Sequence, residues 1–148
     1  MSRVLVALGL GALLGLAACD SKPEAPAAPP APKSMARSQQ FYAGQGLIEK
    51  VDTASISIAS PGNLDMLAAG QTAGPGYKNA SFLPRINAAP PVDGVYEVDV
   101  VADKPDGAAA APTPIEVKGV WPYPVDHLKG VKFIAKSNSV VAMLPAKP

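Results

Sequence analysis

Hydrophobic and polar residues alternate along several short segments of the chain, and glycine- and proline-containing turns separate these segments. The clearest segment is "GVYEVDVVA" at 94–102, with Tyr96, Val98 and Val100 on one predicted face and Glu97 and Asp99 on the other. Alternation of period two with β-branched residues is typical of a strand. "IEVKGVW" at 115–121 repeats the pattern, and "VKFIAKSNSVVAML" predicts a closing hairpin whose bend falls at 137–139.

The sequence at 41–60 predicts a second hairpin. "FYAGQGLIEKVDTASISIAS" at 41–60 divides into two strands joined by a turn at 51–54, with Ile56 and Ile58 on one face of the second strand. The stretch from 60 to 94 is rich in proline and glycine, and we interpret it as a functional loop or as a segment partly ordered by further strands. Within it, "NLDMLAA" at 63–69 predicts a single helical turn, and "ASFLPRI" at 80–86 predicts a strand.

Turn signals recur at short intervals, as in "DKPDG" at 103–107, where proline presets φ and glycine permits positive φ. The pattern holds about five to seven short strands and no long helix. The predicted fold class is therefore all-β, and two architectures fit the pattern: a small antiparallel barrel of the oligonucleotide/oligosaccharide-binding (OB) type, or a sandwich.

A different pattern occupies the N-terminus, "MSRVLVALGLGALLGLAAC". A positive residue, Arg3, precedes an apolar run from 4 to 16, and two small residues follow. These are the parts of an export signal, and the run is shorter than the roughly 20 apolar residues of a membrane-spanning helix. We interpret residues 1–18 as a cleaved signal peptide.

Leu16, Ala17, Ala18 and Cys19 resemble the lipobox of bacterial lipoproteins. The resemblance implies that Cys19 becomes the first residue of the mature chain and carries diacylglycerol on its sulfur, with a further acyl chain, such as palmitate, on its amine. The alternative is an ordinary secretory peptide that leaves a free thiol. By the same resemblance Asp20 favours retention in the inner membrane, and the outer membrane remains an alternative. The expected localisation is the bacterial cell envelope, facing the periplasm.

Residues 19–40 form the predicted linker between this anchor and the folded part at 41–148. Five of the twelve residues from 22 to 33 are prolines, so this stretch favours extended polyproline II over a packed core. The folded part is one domain of ordinary small size.

The formal net charge of the whole chain is +1 at pH 7. A chain without a basic field has no general means of binding nucleic acid, so we expect no nucleic-acid partner. Acidic residues gather between 93 and 116 and lysines between 118 and 147. We interpret this asymmetry as complementary charge on neighbouring strands, and the alternative is a polarised docking face.

The stretch "GLIEKVDTASISIAS" at 46–60 resembles the first hairpin of small periplasmic OB-type barrels, including the copper-chaperone family of metal-efflux systems. The resemblance rests on Gly46, Ile48, Val51, Asp52, Ile56 and Ile58. That copper family groups a His, a Trp and two Met residues, because thioethers suit Cu(I). Here Met66, Met143, His127 and Trp121 stand in other sequence contexts, so we expect neither a metal site nor a cofactor.

Six residues are candidates for binding, and they are Tyr77, Phe82, Arg85, Trp121, Tyr123 and His127. Trp121 and Tyr123 alternate with prolines in "VWPYP", which predicts either an aromatic ledge for extended peptides or sugars, or a core plug made by Trp121. Glu97 and Asp99 form the tightest carboxylate pair, and we expect them on a solvated strand face. We find no nucleophile elbow, HExxH or phosphate-binding loop, so the chain is predicted not to be an enzyme.

The leading hypothesis is a non-catalytic envelope lipoprotein whose β domain docks another envelope protein through the 60–94 segment and the "WPYP" ledge. The alternative is a ligand-binding barrel for a small molecule, a metal or a glycan, with Trp121, Tyr123 and His127 lining its site.

Overall fold

The computed structural model describes residues 34–60, 62–107, 111–122 and 127–145. Its eight strands are β1 (Gln45–Leu47), β2 (Lys50–Ser60), β3 (Asn63–Thr72), β4 (Lys78–Pro84), β5 (Val95–Asp103), β6 (Thr113–Pro122), β7 (Gly130–Ile134) and β8 (Ser139–Met143). The described part of the chain contains no helix that could cross a membrane. The all-β fold class is confirmed.

The strands form two sheets that pack face to face. β5 is the centre of a five-stranded sheet: β4 pairs along one edge, and the other edge is shared by β7, which is parallel to β5, and β1, which is antiparallel. β8 then pairs with β7. The second sheet has the antiparallel order β2, β3, β6. Within the residues that the structure describes, no strand pairing closes the two sheets into a barrel, so of the two predicted architectures the sandwich fits.

One apolar core fills the space between the sheets. The inward residues of the central strands are wholly or almost wholly buried, and they include Leu64, Met66, Val98, Val100, Val117 and Phe133. The rings of Phe82 and Phe133 meet edge to face with their centroids 5.4 Å apart, and those of Tyr96 and Trp121 meet at 5.6 Å. Such edge-to-face pairs stabilise a core beyond the area that they bury.

β4 and β6 close one side of the sandwich by packing rather than by hydrogen bonds. The Phe82 ring lies directly over Gly119, where a built Cβ would stand 2.9 Å from the ring carbon Cδ2. Only a residue without a side chain leaves this space for the ring.

The strands with regular alternation of large residues lie where the sequence predicts them. β5, β6 and the hairpin of β7 and β8 are confirmed, as is the shared face of Ile56 and Ile58. The predicted hairpin at 41–60 with its turn at 51–54 is wrong: residues 51–54 belong to β2, and β1 pairs with β5 in the other sheet. The register with β3 shifts between Val51 and Thr53, so Asp52 is the extra residue of a bulge and the strand continues past it.

The predicted helical turn at 63–69 is also wrong, because the segment belongs to β3. Leu64, Met66 and Ala68 alternate into the core, and the register with β2 on one side and β6 on the other fixes them there. The predicted strand at 80–86 is confirmed as β4, so two strands order much of the 60–94 segment.

Candidate functional site

Asp99 and Glu97 lie on the outer face of β5, and both are buried: Asp99 is 0% exposed and Glu97 is 7% exposed. Asp99 Oδ1 accepts hydrogen bonds from Arg85 Nε at 3.0 Å and from Arg85 Nη2 at 2.8 Å. Its Oδ2 accepts a hydrogen bond from the Ser38 hydroxyl at 2.6 Å. The expectation of a solvated carboxylate face is therefore wrong. The pair belongs to a buried polar cluster, because a distant part of the chain covers this face.

That covering part is an extended segment that we call the strap, residues 34–42. Arg37 and Ile86 exchange two backbone hydrogen bonds of 2.9 Å. The Gln39 side-chain amide donates to the Pro84 carbonyl at 2.6 Å. The sequence predicts a linker that extends to residue 40. These contacts instead attach residues 37–39 to the folded domain.

The charged side chains of the cluster pair with one another. Arg85 Nη1 lies 3.2 Å from Glu97 Oε2, and Lys132 Nζ lies 3.4 Å from Glu97 Oε1 across the parallel pair of β5 and β7. Burial opposes protonation of Arg85, but hydrogen bonds from its guanidinium to Asp99 and the nearby carboxylate charges together raise its pKa above the ordinary value. Two cations balance two anions, so this cluster fastens the strap and has no charge left for a ligand.

The second feature is the seam between β2 and β8, the outermost strands of the two sheets. Where β2 begins, the seam is closed by the Asn138 side chain, which donates to the Val51 carbonyl at 2.7 Å and accepts from the Val51 N–H at 2.9 Å. Where β2 ends, the seam opens into an apolar groove of about 570 Å³. Its lining residues include Ile56, Ile58, Leu128, Met143 and Leu144. We call this the seam groove.

The two strands beside the seam groove are uncovered edges. Among the described strands, β2 pairs only with β3, and β8 pairs only with β7. Neither Thr53–Ile58 of β2 nor the whole of β8 contains a charged residue or a proline. Ile58 is 55% exposed and Met143 is 56% exposed, so apolar side chains lie open to solvent at this place.

A second recess lies at the other end of the sandwich, where the turns after β3, β5 and β7 converge on β1. It has a volume of about 470 Å³ and is lined by aromatic, proline and charged residues, among them Phe41, Glu49, Tyr77, Lys104, Pro105 and Lys136. We call it the Tyr77 cleft.

The structure disperses the residues singled out from the sequence. Trp121 packs on Tyr96 and Phe82 on Phe133, both at the core. Arg85 belongs to the buried cluster, Tyr77 lines its cleft, and His127 is exposed. Tyr123 and Cys19 lie outside the described residues.

The six binding candidates predicted from the sequence do not include Ile58 and Met143 of the seam groove or Lys104 of the Tyr77 cleft. The signal available for the first two was the absence of charge and proline over 53–58 and 139–143. Within the described residues, no three His, Cys, Asp or Glu side chains lie together in a way that could hold a metal ion.

Comparison with known proteins adds no relative. No protein-family model, no curated protein and no solved structure matches this chain.

Proposed function

We propose that this chain is a bacterial envelope lipoprotein, lipid-anchored through Cys19, whose β domain docks another envelope protein without catalysis. The observation that carries the proposal is the seam groove, where two uncovered strand edges and exposed apolar side chains lie side by side. The lipobox and the proline-rich stretch that follows it support the anchored location.

The uncovered strand edges favour docking of a protein segment over other binding modes. An edge strand presents unpaired N–H and C=O groups, and proteins protect such edges with charges, prolines, bulges or a covering segment. Bulge-like register shifts bracket β2 at Val51–Thr53 and Ile58–Ser60, and the six residues from Thr53 to Ile58 between them are unprotected. A partner that contributes an extended segment would pair with this edge and lay its apolar side chains on Ile58 and Leu144.

The proposal is tested by replacing Ile58 with a photo-crosslinking amino acid in the full-length lipoprotein and irradiating intact cells. The matched control places the same crosslinker at Lys118, which is well exposed on the outer face of β6. We expect one discrete, reproducible adduct from position 58 and none from position 118. Ile58→Glu in the unmodified chain should abolish co-purification of the protein found in that adduct.

Equal adduct patterns from both positions, or an Ile58→Glu variant that retains its partner, would contradict docking at the seam groove. Membrane fractionation of every variant separates this failure from loss of the anchor.

A further inference from the structure

The Tyr77 cleft contains a lysine whose side chain is laid across a glycine. At Gly46 of β1, a built Cβ would stand 2.3 Å from Lys104 Cε and 2.7 Å from Lys104 Nζ. The lysine therefore lies flat on the β1 backbone, and the glycine makes room for it. Gly46 is buried as a result.

Lys104 makes no ion pair with any carboxylate in the described ranges, whereas the other lysine of the cleft does: Lys136 Nζ lies 3.0 Å from Glu49 Oε2. The two lysines and one glutamate leave the cleft with one surplus positive charge. That charge is on the ammonium of Lys104, an exposed residue whose side chain lies over Gly46.

The walls of the cleft are fixed by hydrogen bonds that do not involve Lys104's ammonium. The buried Thr72 hydroxyl donates to the Gly74 carbonyl at 2.7 Å, which shapes the turn before Tyr77. The Lys136 N–H donates to the Ile48 carbonyl at 3.0 Å, and the Lys104 N–H donates to the Gly44 carbonyl at 2.9 Å. A recess of this size with preformed walls and a few placed polar groups is typical of a small-ligand site.

We propose that the Tyr77 cleft binds a saccharide that carries a carboxylate. The carboxylate pairs with Lys104 in a charge-assisted hydrogen bond. The apolar face of the sugar ring packs on Phe41, Tyr77 and Pro105, and its hydroxyl groups exchange hydrogen bonds with Glu49 and Lys136. This site goes beyond docking and is independent of it, because it uses no residue of the seam groove.

Each chemical group of this ligand is complementary to a group of the cleft. A simple inorganic anion would leave the aromatic and proline surfaces uncovered. A neutral sugar would leave the ammonium unpaired. A fatty carboxylate would displace water from the ion pair of Glu49 and Lys136, and its alkyl chain would offer that pair no hydrogen bond in return.

The experiment is calorimetric titration of the full chain, purified in detergent, with two matched pairs of probes. Glucuronic acid is compared with glucose, and N-acetylmuramic acid with N-acetylglucosamine, so that a ring carboxylate and a lactyl carboxylate are distinguished. Acetate serves as the anion without a sugar ring. We expect at least one acidic sugar to bind at least tenfold more tightly than its neutral counterpart and than acetate.

The variants separate binding from folding. Lys104→Gln removes the charge, and Gly46→Ala displaces the end of the lysine side chain, which is flexible enough to move without unfolding the strand. Both substitutions should weaken binding of the acidic sugar at least tenfold, while the melting temperature of the protein stays within about 2 °C of the wild-type value. Lys118→Gln, an exposed lysine on another sheet, should bind as the wild type does.

Three results would overturn the proposal: no saturable binding of either acidic sugar, equal binding of the neutral sugars or of acetate, or unchanged affinity in both Gly46→Ala and Lys104→Gln. None of them bears on the crosslinking at Ile58.

Discussion

The side chain of Asn138 occupies the place of a strand neighbour for Val51, donating to its carbonyl at 2.7 Å and accepting from its N–H at 2.9 Å. One amide group thereby satisfies both backbone groups of a residue that is fully buried. The contact joins the β7–β8 turn to the start of β2, and it is the point where the seam between the two sheets is closed.

Asn138→Ala leaves both backbone groups of Val51 without these partners. We expect a loss of about 2 kcal/mol in the free energy of unfolding, since an unpaired buried donor or acceptor is costly. Asn138→Asp keeps the acceptor but places a carboxylate oxygen against the Val51 carbonyl. Because this contact is repulsive and the half-buried carboxylate is costly to desolvate, the loss should be at least as large. Urea denaturation checks both, with Ser139→Ala, an exposed neighbour, expected within about 0.5 kcal/mol of wild type. An Asn138→Ala protein with the wild-type free energy of unfolding would show that the seam does not depend on this contact.

Asp99→Ala removes the buried anion that holds Arg85 and Ser38. We expect a loss of about 3 kcal/mol, the lower end for a broken buried ion pair, because Arg85 keeps 22% of its side chain exposed and can recover some solvation. The control is Asp103→Ala on the same strand, whose carboxylate accepts from Asn79 at the surface. Thermal and chemical denaturation should show a loss below about 1 kcal/mol for the control, and equal losses would contradict the buried role of Asp99.

Ser38→Ala should release the strap without unfolding the sandwich. The Ile86 amide donates to the Arg37 carbonyl, so its hydrogen exchange reports strap opening. We expect exchange at Ile86 to accelerate about tenfold, because the lost hydrogen bond has a charged acceptor. Amides of β7 should exchange as in the wild type, and a uniform acceleration would instead indicate global destabilisation.

Gly119→Ala brings a methyl group against the Phe82 ring. We expect a loss of about 1–3 kcal/mol, the usual cost of overpacking a core. In a Phe82→Leu background the same substitution should cost less than about 0.5 kcal/mol, because the obstructing ring atoms are gone. A double-mutant cycle by denaturation measures the coupling, and additive losses would show that another neighbour opposes the methyl group.

Cys19→Ser tests the anchor. Because acylation requires the thiol, the variant should lose palmitate labelling and partition to the aqueous phase or accumulate as a precursor, whereas two acyl signals hold the wild type to membranes. The domain should fold as before, since the described core begins well after this position. Unlabelled wild-type protein would contradict the lipoprotein interpretation.

The sequence predicts those strands in which large side chains alternate, such as β5, β6 and β7. It does not predict β3, because Ala68 and Gly70 hide the alternation that Leu64 and Met66 begin. Nor can it predict the bulge at Asp52, which appears locally as a turn.

The candidate sites are harder still to predict. Whether Asp99 is solvated depends on the strap, and whether Ile58 is covered depends on where β8 stops; neither relation is local in the chain. Lys104 gains its place only when the turn after β5 reaches Gly46 of β1. Each of these is a contact between segments far apart in sequence.

The central position of β5 also orders the events of folding. Its three partners come from before and after it in the chain, with Gln45 of β1 opposite Asp103 and β7 arriving only after β6 has crossed to the other sheet. No neighbouring pair of strands within the five-stranded sheet can nucleate it except β4 with β5 or β7 with β8. Closing such long loops costs entropy before the stabilising contacts form, so we expect this domain to refold in milliseconds to seconds. We also expect folding intermediates in which one edge of β5 is still unpaired.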